Sequence, residues 1–268
     1  MNRTLQILIT FLIFNSCNKD DKNAPIPENE NSIFISAVDI SSYPEISNSN
    51  PTFYDLEGNQ SDFFSILKDH RINTVRLRLW VNPINQHSGF NEVKQFSETL
   101  KTNGFKTWLT LHYSDTWADP AHQETPIQWQ GINFTQLKDS VYNYTEKVMT
   151  ELLPDYIQIG NEINHGLMHP YGLRDGDGEF QKLLQAGCTG AKAADSSVIT
   201  ILHYAGYTGA KSFYQTVDSV DYDWIGLSYY PKWHGTDLGF LSATCFELQD
   251  TFQRPVALVE TSYPFTLN

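Results

Sequence analysis

From residue 33 onward, short apolar segments rich in β-branched and aromatic residues alternate with longer segments of helical character. Their alternation predicts parallel strands joined by helices through right-handed crossovers. The clearest helical pattern covers 137–153, where apolar residues recur every three or four positions, and further helices are predicted at 63–70 and 93–104. The predicted strands are 33–39, 73–80, 105–113, 155–162, 198–204, 223–230 and 255–260.

Seven strand–helix units in one chain favour a (β/α)8 TIM barrel over an open doubly wound sheet. No G-x-G-x-x-G motif follows the first strand, so the dinucleotide-binding signature is missing. A barrel needs one unit more than the seven we count, and the sequence ends at Asn268, soon after the last predicted strand. We therefore expect a barrel domain over 33–268, with its eighth unit either undetected or absent from this chain.

The charge balance argues against nucleic acid as a partner. Eighteen Lys and Arg residues face 31 Asp and Glu residues, and the formal net charge is −13. A phosphate backbone would repel such a surface, and no cluster of basic residues offers a local exception. Aromatic residues make up 13% of the chain, which suits a core of large rings or a cleft in which the apolar faces of sugars stack.

The N-terminus has the features of an export signal. An early arginine precedes an apolar run over 5–14, which is shorter than the roughly 20 residues that span a bilayer. The segment 1–17 resembles a bacterial lipoprotein signal, with Cys17 as the lipidated residue, and plain secretion is the alternative. The polar segment 18–32 is predicted to be a disordered tether, and its acidic residues resemble a surface-export signal. We expect an outer-membrane or cell-surface lipoprotein, or otherwise a periplasmic or secreted protein, whose lipid anchor is its one membrane contact.

The cysteines do not form a disulfide framework, because there are only three of them. Cys188 and Cys245 could pair in an exported protein. Free buried cysteines are common, however, and we expect free thiols.

Polar side chains follow the apolar body of nearly every predicted strand. In a barrel, catalytic residues project from the C-terminal ends of the strands, so these side chains are expected to converge on one cleft. They are Asp39, Arg76, Arg78, His112, Asn161, Glu162, His203, Tyr229, Tyr230 and Glu260.

Glu162 and Glu260 are the candidate catalytic residues. Each ends a buried apolar strand that has no structural need of a carboxylate, and burying an unpaired carboxylate is costly. The alternative is a structural role, as acids paired with Arg76 or Arg78. Two carboxylates facing across a cleft suit glycoside hydrolysis, in which one donates a proton and the other attacks the anomeric carbon. We predict a retaining reaction, with the carboxyl groups about 5–5.5 Å apart.

Neighbouring residues have predicted supporting roles. Either Arg76 or Arg78 could hold Glu260 ionised, and Tyr229 could hydrogen-bond it. Asn161 could bind the 2-hydroxyl of the sugar, and His203 is a further candidate for binding substrate.

The segment HYSDTWADPAHQ, at 112–123, is predicted to be a substrate-binding loop. A metal site is disfavoured because His112 and His122 lack the helical H-E-x-x-H spacing, and we predict no metal. Trp117 is the candidate platform for a sugar ring, and Trp233 could act similarly, loop packing being its alternative. Ser-His-Asp catalysis is not supported, because no G-x-S-x-G nucleophile elbow is present. The loop's candidate binding residues are His112, Asp115, Trp117 and Asp119.

Six segments together resemble glycoside hydrolase family 53, the endo-β-1,4-galactanases among the clan A (β/α)8 barrels. The S-D-T-W-A-D-P and N-E-I stretches are specific to that family, while an Asn–Glu pair alone marks only the clan. The segments are AVDISSYPEI (37–46), TVRLRLWVNP (74–83), LHYSDTWADPAHQ (111–123), YIQIGNEINHGL (156–167), DWIGLSYYPKWHG (223–235) and LVETSYPFT (258–266).

The resemblance implies retaining cleavage of β-1,4-linked galactan, the side chain of pectic polymers. It matches Glu162 to the acid/base residue and Glu260 to the nucleophile. No redox or organic cofactor is implied, although some members carry a structural calcium ion in a late loop. We expect a monomer. The cleft residues matched by the resemblance are Asp39, Arg76 or Arg78, His112, Asn161 and Tyr229.

The chief departure from the family pattern is at the C-terminus. Family members continue through a long loop and an eighth strand that bears an aromatic cleft residue, so part of the sugar site and the calcium loop are expected to be missing here. Two alternatives follow. The first is another clan A hydrolase, such as a β-mannanase or a cellulase. The second is a surface glycan-binding lipoprotein or inactive fragment that keeps the cleft without turnover.

Overall fold

The computed structural model describes residues 34–262, so the predicted signal with Cys17 and the tether at 18–32 lie outside the described residues. Neighbouring strands of its sheet all pair in parallel and follow one another in sequence order. A curled sheet of this order is that of a (β/α)8 barrel, so the predicted fold class and all seven predicted strands are confirmed. The described part of the chain holds no further strand of this sheet. The strands are β1 (Ala37–Asp39), β2 (Thr74–Leu79), β3 (Lys106–Leu111), β4 (Tyr156–Ile159), β5 (Ile199–Ala205), β6 (Trp224–Tyr229) and β7 (Val256–Thr261).

Helices connect the strands, and local signals explain where the predicted ones begin and end. The helix predicted at 137–153 begins earlier, because Asn133 and Gln136 form a capping box at its N-terminus. The helix predicted at 93–104 ends just before Gly104, whose φ of +81° is the left-handed conformation that follows many helices. The helices are α1 (Tyr43–Ser47), α2 (Phe63–Asp69), α3 (Phe90–Thr102), α4 (Phe134–Leu152), α5 (Glu179–Ala194), α6 (Ala210–Thr216), α7 (Pro231–His234) and α8 (Leu238–Phe252).

Alternation along the strands divides the core in two. Outward residues such as Leu77, Leu109 and Ile157 are buried in a large cluster with the helices. The inward residues nearer the start of the strands form a smaller apolar layer of Trp108, Tyr156, Ile201 and Val259. Beyond this layer, toward the ends of the strands, inward positions are polar. They are Arg76, Gln158, His203, Ser228 and Glu260.

Two further predictions can be compared with the fold. Cys188, buried in α5, and Cys245, on α8, both carry free thiols, as expected. Between residues 34 and 262, none of the helices has both the length and the apolar character that crossing a bilayer requires.

Candidate active site

The carboxylates of Glu162 and Glu260 meet at the C-terminal end of the sheet. Glu162 lies three residues beyond the end of β4, and Glu260 lies in β7. One carboxylate oxygen of each residue lies within 4.8 Å of the other and of a ring nitrogen of His203. Two strands that are distant in sequence therefore bring two acids to one point.

A sharp turn after β4 delivers Glu162 to the cleft. Gly160 has a φ of +84°, and a Cβ there would lie 2.5 Å from Cγ2 of Ile163, so this position requires glycine. Glu162 itself has a φ of +47°, a left-handed conformation that is uncommon for residues other than glycine. Such strain is typically retained at functional sites.

Glu260 is held by two donors. Nη2 of Arg76 lies 2.6 Å from its Oε1, and the hydroxyl of Tyr230 donates to its Oε2 at 2.8 Å. The other terminal nitrogen of Arg76, Nη1, pairs with Asp39 at 2.9 Å, and the Arg76 side chain is only 5% exposed. Hydrogen bonds to both oxygens and a buried cation stabilise the charged form of a carboxylate. Glu260 is thereby suited to act as an anion.

Glu162 has the opposite environment. Its Oε1 accepts a 2.6 Å hydrogen bond from the Ser228 hydroxyl. Burial raises its pKa to about 7, and the negative charges of Glu260 and Asp119 add to the increase, while Ser228 and Arg76 oppose it. A carboxyl with such a pKa keeps a substantial protonated fraction near neutral pH, as a general acid must.

The structure resolves the choice between Arg76 and Arg78. Arg76 contacts Glu260, whereas the Arg78 guanidinium bonds Ser88 at 2.9 Å and Ser42 at 3.2 Å. Arg78 also lies 5.1 Å from the ring of Trp80 and 5.4 Å from that of Trp117, within cation–π range. Arg78 therefore supports the wall of the cleft around Trp117.

The predicted contact between Tyr229 and Glu260 is wrong. The Tyr229 hydroxyl donates to the carbonyl of Gly235 at 2.9 Å, and the hydroxyl on Glu260 belongs to Tyr230. The reason is the two-residue period of a strand. Ser228 and Tyr230 point into the barrel, so Tyr229 between them points away.

Asn161 is fully buried, and protein groups bind both ends of its amide. Its Oδ1 accepts from Arg76 at 3.1 Å, and its Nδ2 donates to the carbonyl of Ala118 at 2.9 Å. The amide links the base of the cleft to the loop after β3. Its binding to a sugar 2-hydroxyl stays a prediction.

The loop after β3 presents one exposed aromatic ring. Trp117 is 42% exposed, and its ring meets the buried His112 ring edge-on, with centroids 5.3 Å apart. Nδ1 of His112 accepts a hydrogen bond from the backbone N–H of Ala118 at 3.0 Å. Burial, together with the charges of the two arginines on β2, lowers the pKa of His112 well below its usual value, so the ring is neutral.

The two aspartates of this loop brace its backbone. Asp115 accepts hydrogen bonds from the backbone N–H groups of Asn82 and Ile127, at 2.9 and 2.8 Å. Asp119 pairs with the exposed His122 at 3.0 Å. The binding of sugar hydroxyls by these acids stays a prediction. The contacts they make in the structure stabilise the conformation of the loop. Trp233, on α7, is 73% exposed and free to present its ring to solvent.

One group of side chains could be considered for a metal ion. Among residues 34–262, Glu162, His203 and Glu260 bring donor atoms within 4.8 Å of one another. Both His203 nitrogens are engaged, however. Nδ1 is approached by the backbone N–H of Glu162 at 3.3 Å, and Nε2 lies 2.8 Å from the Ser228 hydroxyl. The donor set therefore does not fit a metal ion without breaking this network.

Sequence reasoning missed Ser228 and Gln158, and left Tyr230 without a role. Gln158 donates to Asn161 and approaches both His203 and Arg76. The sequence of β6 offered a pattern that points to both hydroxyls, since Ser228 and Tyr230, which directly follows the strand in extended conformation, are two residues apart and share the inward face. Gln158 in an otherwise apolar β4 was a similar signal, because a buried amide needs polar partners.

Comparisons with known proteins agree on one family. The model of glycosyl hydrolase family 53 matches residues 35–268. The endo-beta-1,4-galactanase of Bacillus subtilis is 33% identical over 260 residues, which cover 89% of this chain and 59% of that protein. The probable arabinogalactan endo-beta-1,4-galactanase A of Aspergillus terreus is 35% identical over 247 residues, covering 85% of this chain and 70% of that protein.

Two solved structures with similar folds indicate the same family. The GH53 catalytic domain of Ignisphaera aggregans matches with a TM-score of 0.82 and 31% identity, covering 88% of this chain and 70% of that one. A fungal beta-1,4-galactanase matches with a TM-score of 0.80 and 29% identity, covering 87% and 75%. The chain thus spans between 59% and 75% of the length of these four proteins.

Proposed function

Because the chain belongs to glycosyl hydrolase family 53, we propose that it hydrolyses β-1,4-galactosidic bonds in galactan and type I arabinogalactan with retention of configuration. Glu162 acts as the acid/base residue and Glu260 as the nucleophile. The observation that carries this proposal is the contrast between two neighbouring carboxyl groups. One is half-buried with a pKa raised to about 7, and the other is bound by a cation and a tyrosine hydroxyl.

The contrast supports the following steps for the proposed reaction. Glu162 donates its proton to the glycosidic oxygen as the bond to the anomeric carbon breaks, and an oxygen of Glu260 bonds to that carbon. Water then attacks the glycosyl–enzyme intermediate, giving its proton to Glu162 and releasing Glu260. An oxygen–oxygen approach within 4.8 Å supports retention, since inverting enzymes separate their carboxyl groups by about 6.5–9.5 Å to admit a water molecule.

The choice of galactan rests on the relatives. Those from Bacillus subtilis and Aspergillus terreus are both named as endo-beta-1,4-galactanases, at 33% and 35% identity. The exposed ring of Trp117, packed against His112 on the loop after β3, supplies the kind of surface on which a sugar ring stacks.

The test is release of reducing ends from linear β-1,4-galactan. We expect release by the wild type and by Glu98→Gln, whose carboxylate is exposed on α3, and none by Glu162→Gln or Glu260→Gln. Galactan binding without release would favour the glycan-binding alternative. Faster release from mannan or cellulose would contradict the choice of polymer. Proton NMR of the first products should show the β-anomer, and the α-anomer would exclude retention.

We also propose that the chain is exported as a lipoprotein anchored through Cys17 and acts as a monomer. The support for the lipid anchor is the N-terminal sequence, with an apolar run of 10 residues that leads to a cysteine and then an acidic, polar segment. Labelled palmitate should enter the protein in a bacterial host and be lost in Cys17→Ser. Sedimentation of a form that lacks residues 1–17 should give the mass of a single chain, slightly below the 30.6 kDa of all 268 residues.

A further inference from the structure

We propose that His203 and Ser228 form an oriented hydrogen-bond relay that keeps the transferable proton of Glu162 on Oε2. The relay runs from Nε2–H of His203 to Oγ of Ser228, and from the Ser228 hydroxyl to Oε1 of Glu162, over distances of 2.8 and 2.6 Å. Both residues act through Glu162, so they are positioning residues. The proposal rests on the proposed acid/base role of Glu162.

The direction of the relay follows from the donors around His203. Nδ1 faces the backbone N–H of Glu162 at 3.3 Å and the side-chain amide of Gln158 at 3.0 Å. The Gln158 amide is oriented by Arg76, which can only donate and therefore faces its Oε1 at 3.4 Å. The Gln158 amide shares its two hydrogens among Nδ1, Oδ1 of Asn161 and the carbonyl of Gly160. The backbone N–H of Glu162 can only donate, so Nδ1 accepts and the ring hydrogen lies on Nε2. The Ser228 oxygen accepts that hydrogen, and its own hydrogen is free for Glu162.

The opposite direction is conceivable, because Nδ1 also lies 3.2 Å from Oδ1 of Asn161. A hydrogen on Nδ1 could bind that oxygen, but Nδ1 could then no longer accept from the backbone N–H of Glu162. Oδ1 of Asn161 already accepts from Arg76 at 3.1 Å and from Gln158 at 3.2 Å. Reversal would also make Ser228 donate to His203 and accept from Glu162, so that the acidic proton would face away from a substrate.

The relay gives the two carboxyl oxygens of Glu162 different roles. Oε1 is fixed as an acceptor by Ser228, and the proton is confined to Oε2, where it can reach a leaving group. His203 is fully buried, and burial with the nearby charge of Arg76 lowers its pKa well below the usual value, so the ring stays neutral and the direction is stable. The charged and titratable groups that face Glu162 from neighbouring elements are Arg76, Asp119, His203, Tyr230 and Glu260.

The direction can be measured without turnover, by NMR of the protein labelled with 15N-histidine. The signals of His203 are identified by their loss in His203→Gln. We expect a neutral ring with hydrogen on Nε2 from about pH 5 to about pH 9, although an unperturbed histidine titrates near 6.5. A hydrogen on Nδ1, or a ring that gains charge in this range, would overturn the proposal. Because this readout needs no activity, it remains decisive even if galactan is not hydrolysed.

Kinetics then test what the relay does. Ser228→Ala should lower kcat/KM on galactan by roughly 10- to 100-fold, the scale of a misplaced general acid, with little change in KM. The apparent pKa of the alkaline limb of the pH–rate profile should rise by about one pH unit, because the ionised carboxylate of Glu162 loses a hydrogen-bond donor. Ser228→Thr, which keeps the hydroxyl, should retain the wild-type limb.

Two comparisons separate positioning from general damage. Ser97→Ala makes the same change at a buried serine of α3 whose hydroxyl has no partner among the described residues, and it should leave the profile unchanged. An aryl β-galactobioside whose leaving group departs without a proton should be cleaved almost equally by wild type and Ser228→Ala. Equal losses on both substrates, or an unmoved alkaline limb, would overturn the proposal. No turnover of either substrate by the wild type would count against the proposed function alone.

Discussion

Neutralising Glu162 should stabilise the protein at alkaline pH. Its carboxyl has a pKa of about 7 in the fold against an ordinary value of 4.5. Between these values the unfolded chain releases a proton that the native state keeps, so the stability of the wild type falls as pH rises. The cost is absent below about pH 4.5 and complete above about pH 7. Glu162→Gln removes this cost, and its amide oxygen can still accept the hydrogen bond from Ser228.

The magnitude follows from the pKa difference. A difference of roughly 2.5 units at 1.36 kcal/mol per unit corresponds to about 3 kcal/mol. For a domain of this size, about 3 kcal/mol raises Tm by roughly 6–12 °C. The free energy of unfolding should be measured by urea titration of wild type and variant at intervals from pH 4 to pH 9. The two proteins should agree at pH 4 and diverge until about pH 7.

Glu260→Gln gives the matched opposite case. It weakens an ion pair with the buried Arg76, at 2.6 Å, so it should destabilise the protein by about 1–3 kcal/mol at pH 8. Glu98→Gln, at an exposed position, should change stability little. A Glu162→Gln variant that is no more stable than wild type at pH 8, or whose advantage persists at pH 4, would refute the assignment of burial as the cause of the raised pKa.

Three further substitutions test separate contacts. Tyr230→Phe removes the hydroxyl that donates to Glu260 at 2.8 Å and should lower kcat on galactan about tenfold. Tyr229→Phe is the control and should retain activity, because the Tyr229 hydroxyl binds the carbonyl of Gly235. Equal losses of kcat in the two variants would contradict the contact between Tyr230 and Glu260. Arg76→Lys replaces a fork that binds two carboxylates with a single point charge, so kcat should fall at least about a hundredfold and urea unfolding should show a loss of about 3 kcal/mol. Trp117→Ala should weaken binding of galactotetraose about tenfold by calorimetry with kcat little changed, and a collapse of kcat would argue against a role as platform.

The strands were predictable because each is a short apolar segment bounded by polar residues, and their ends located both glutamates. Which side chains face the cleft was harder to predict. Arg76 and Arg78 share one face of β2, and their different partners depend on how far each lies along the strand. Arg76 lies deep enough to reach Glu260, while Arg78 lies at the rim, among Ser42, Ser88 and the ring of Trp117.

Contacts made across the barrel were outside the reach of local patterns. The link between His203 and Glu162 joins β5 to the turn after β4 through a serine on β6, and no spacing along the chain encodes it. The left-handed backbone of Glu162 was equally hidden, although Gly160 just before it hinted at a sharp turn. The error at Tyr229 is different in kind, because strict application of the two-residue period to β6 would have selected Tyr230.

The inward face of β6 relates the carboxyls of Glu162 and Glu260, the two proposed catalytic residues. Ser228 donates to Glu162, and Tyr230, directly after the last residue of β6, donates to Glu260. The two residues are neighbours on one face, with Cα atoms about 6.6–6.8 Å apart along an ideal strand. A register shift between β6 and β7 at Leu227 and Ser228 pairs Ser228 with Glu260, which brings the acid on β7 opposite the donor that serves the acid beyond β4. One strand and the residue after it thus supply a hydroxyl group to each carboxyl. Since a retaining reaction depends on the separation of the two carboxyl groups, a change of register in β6 should impair catalysis more than the loss of either hydroxyl alone.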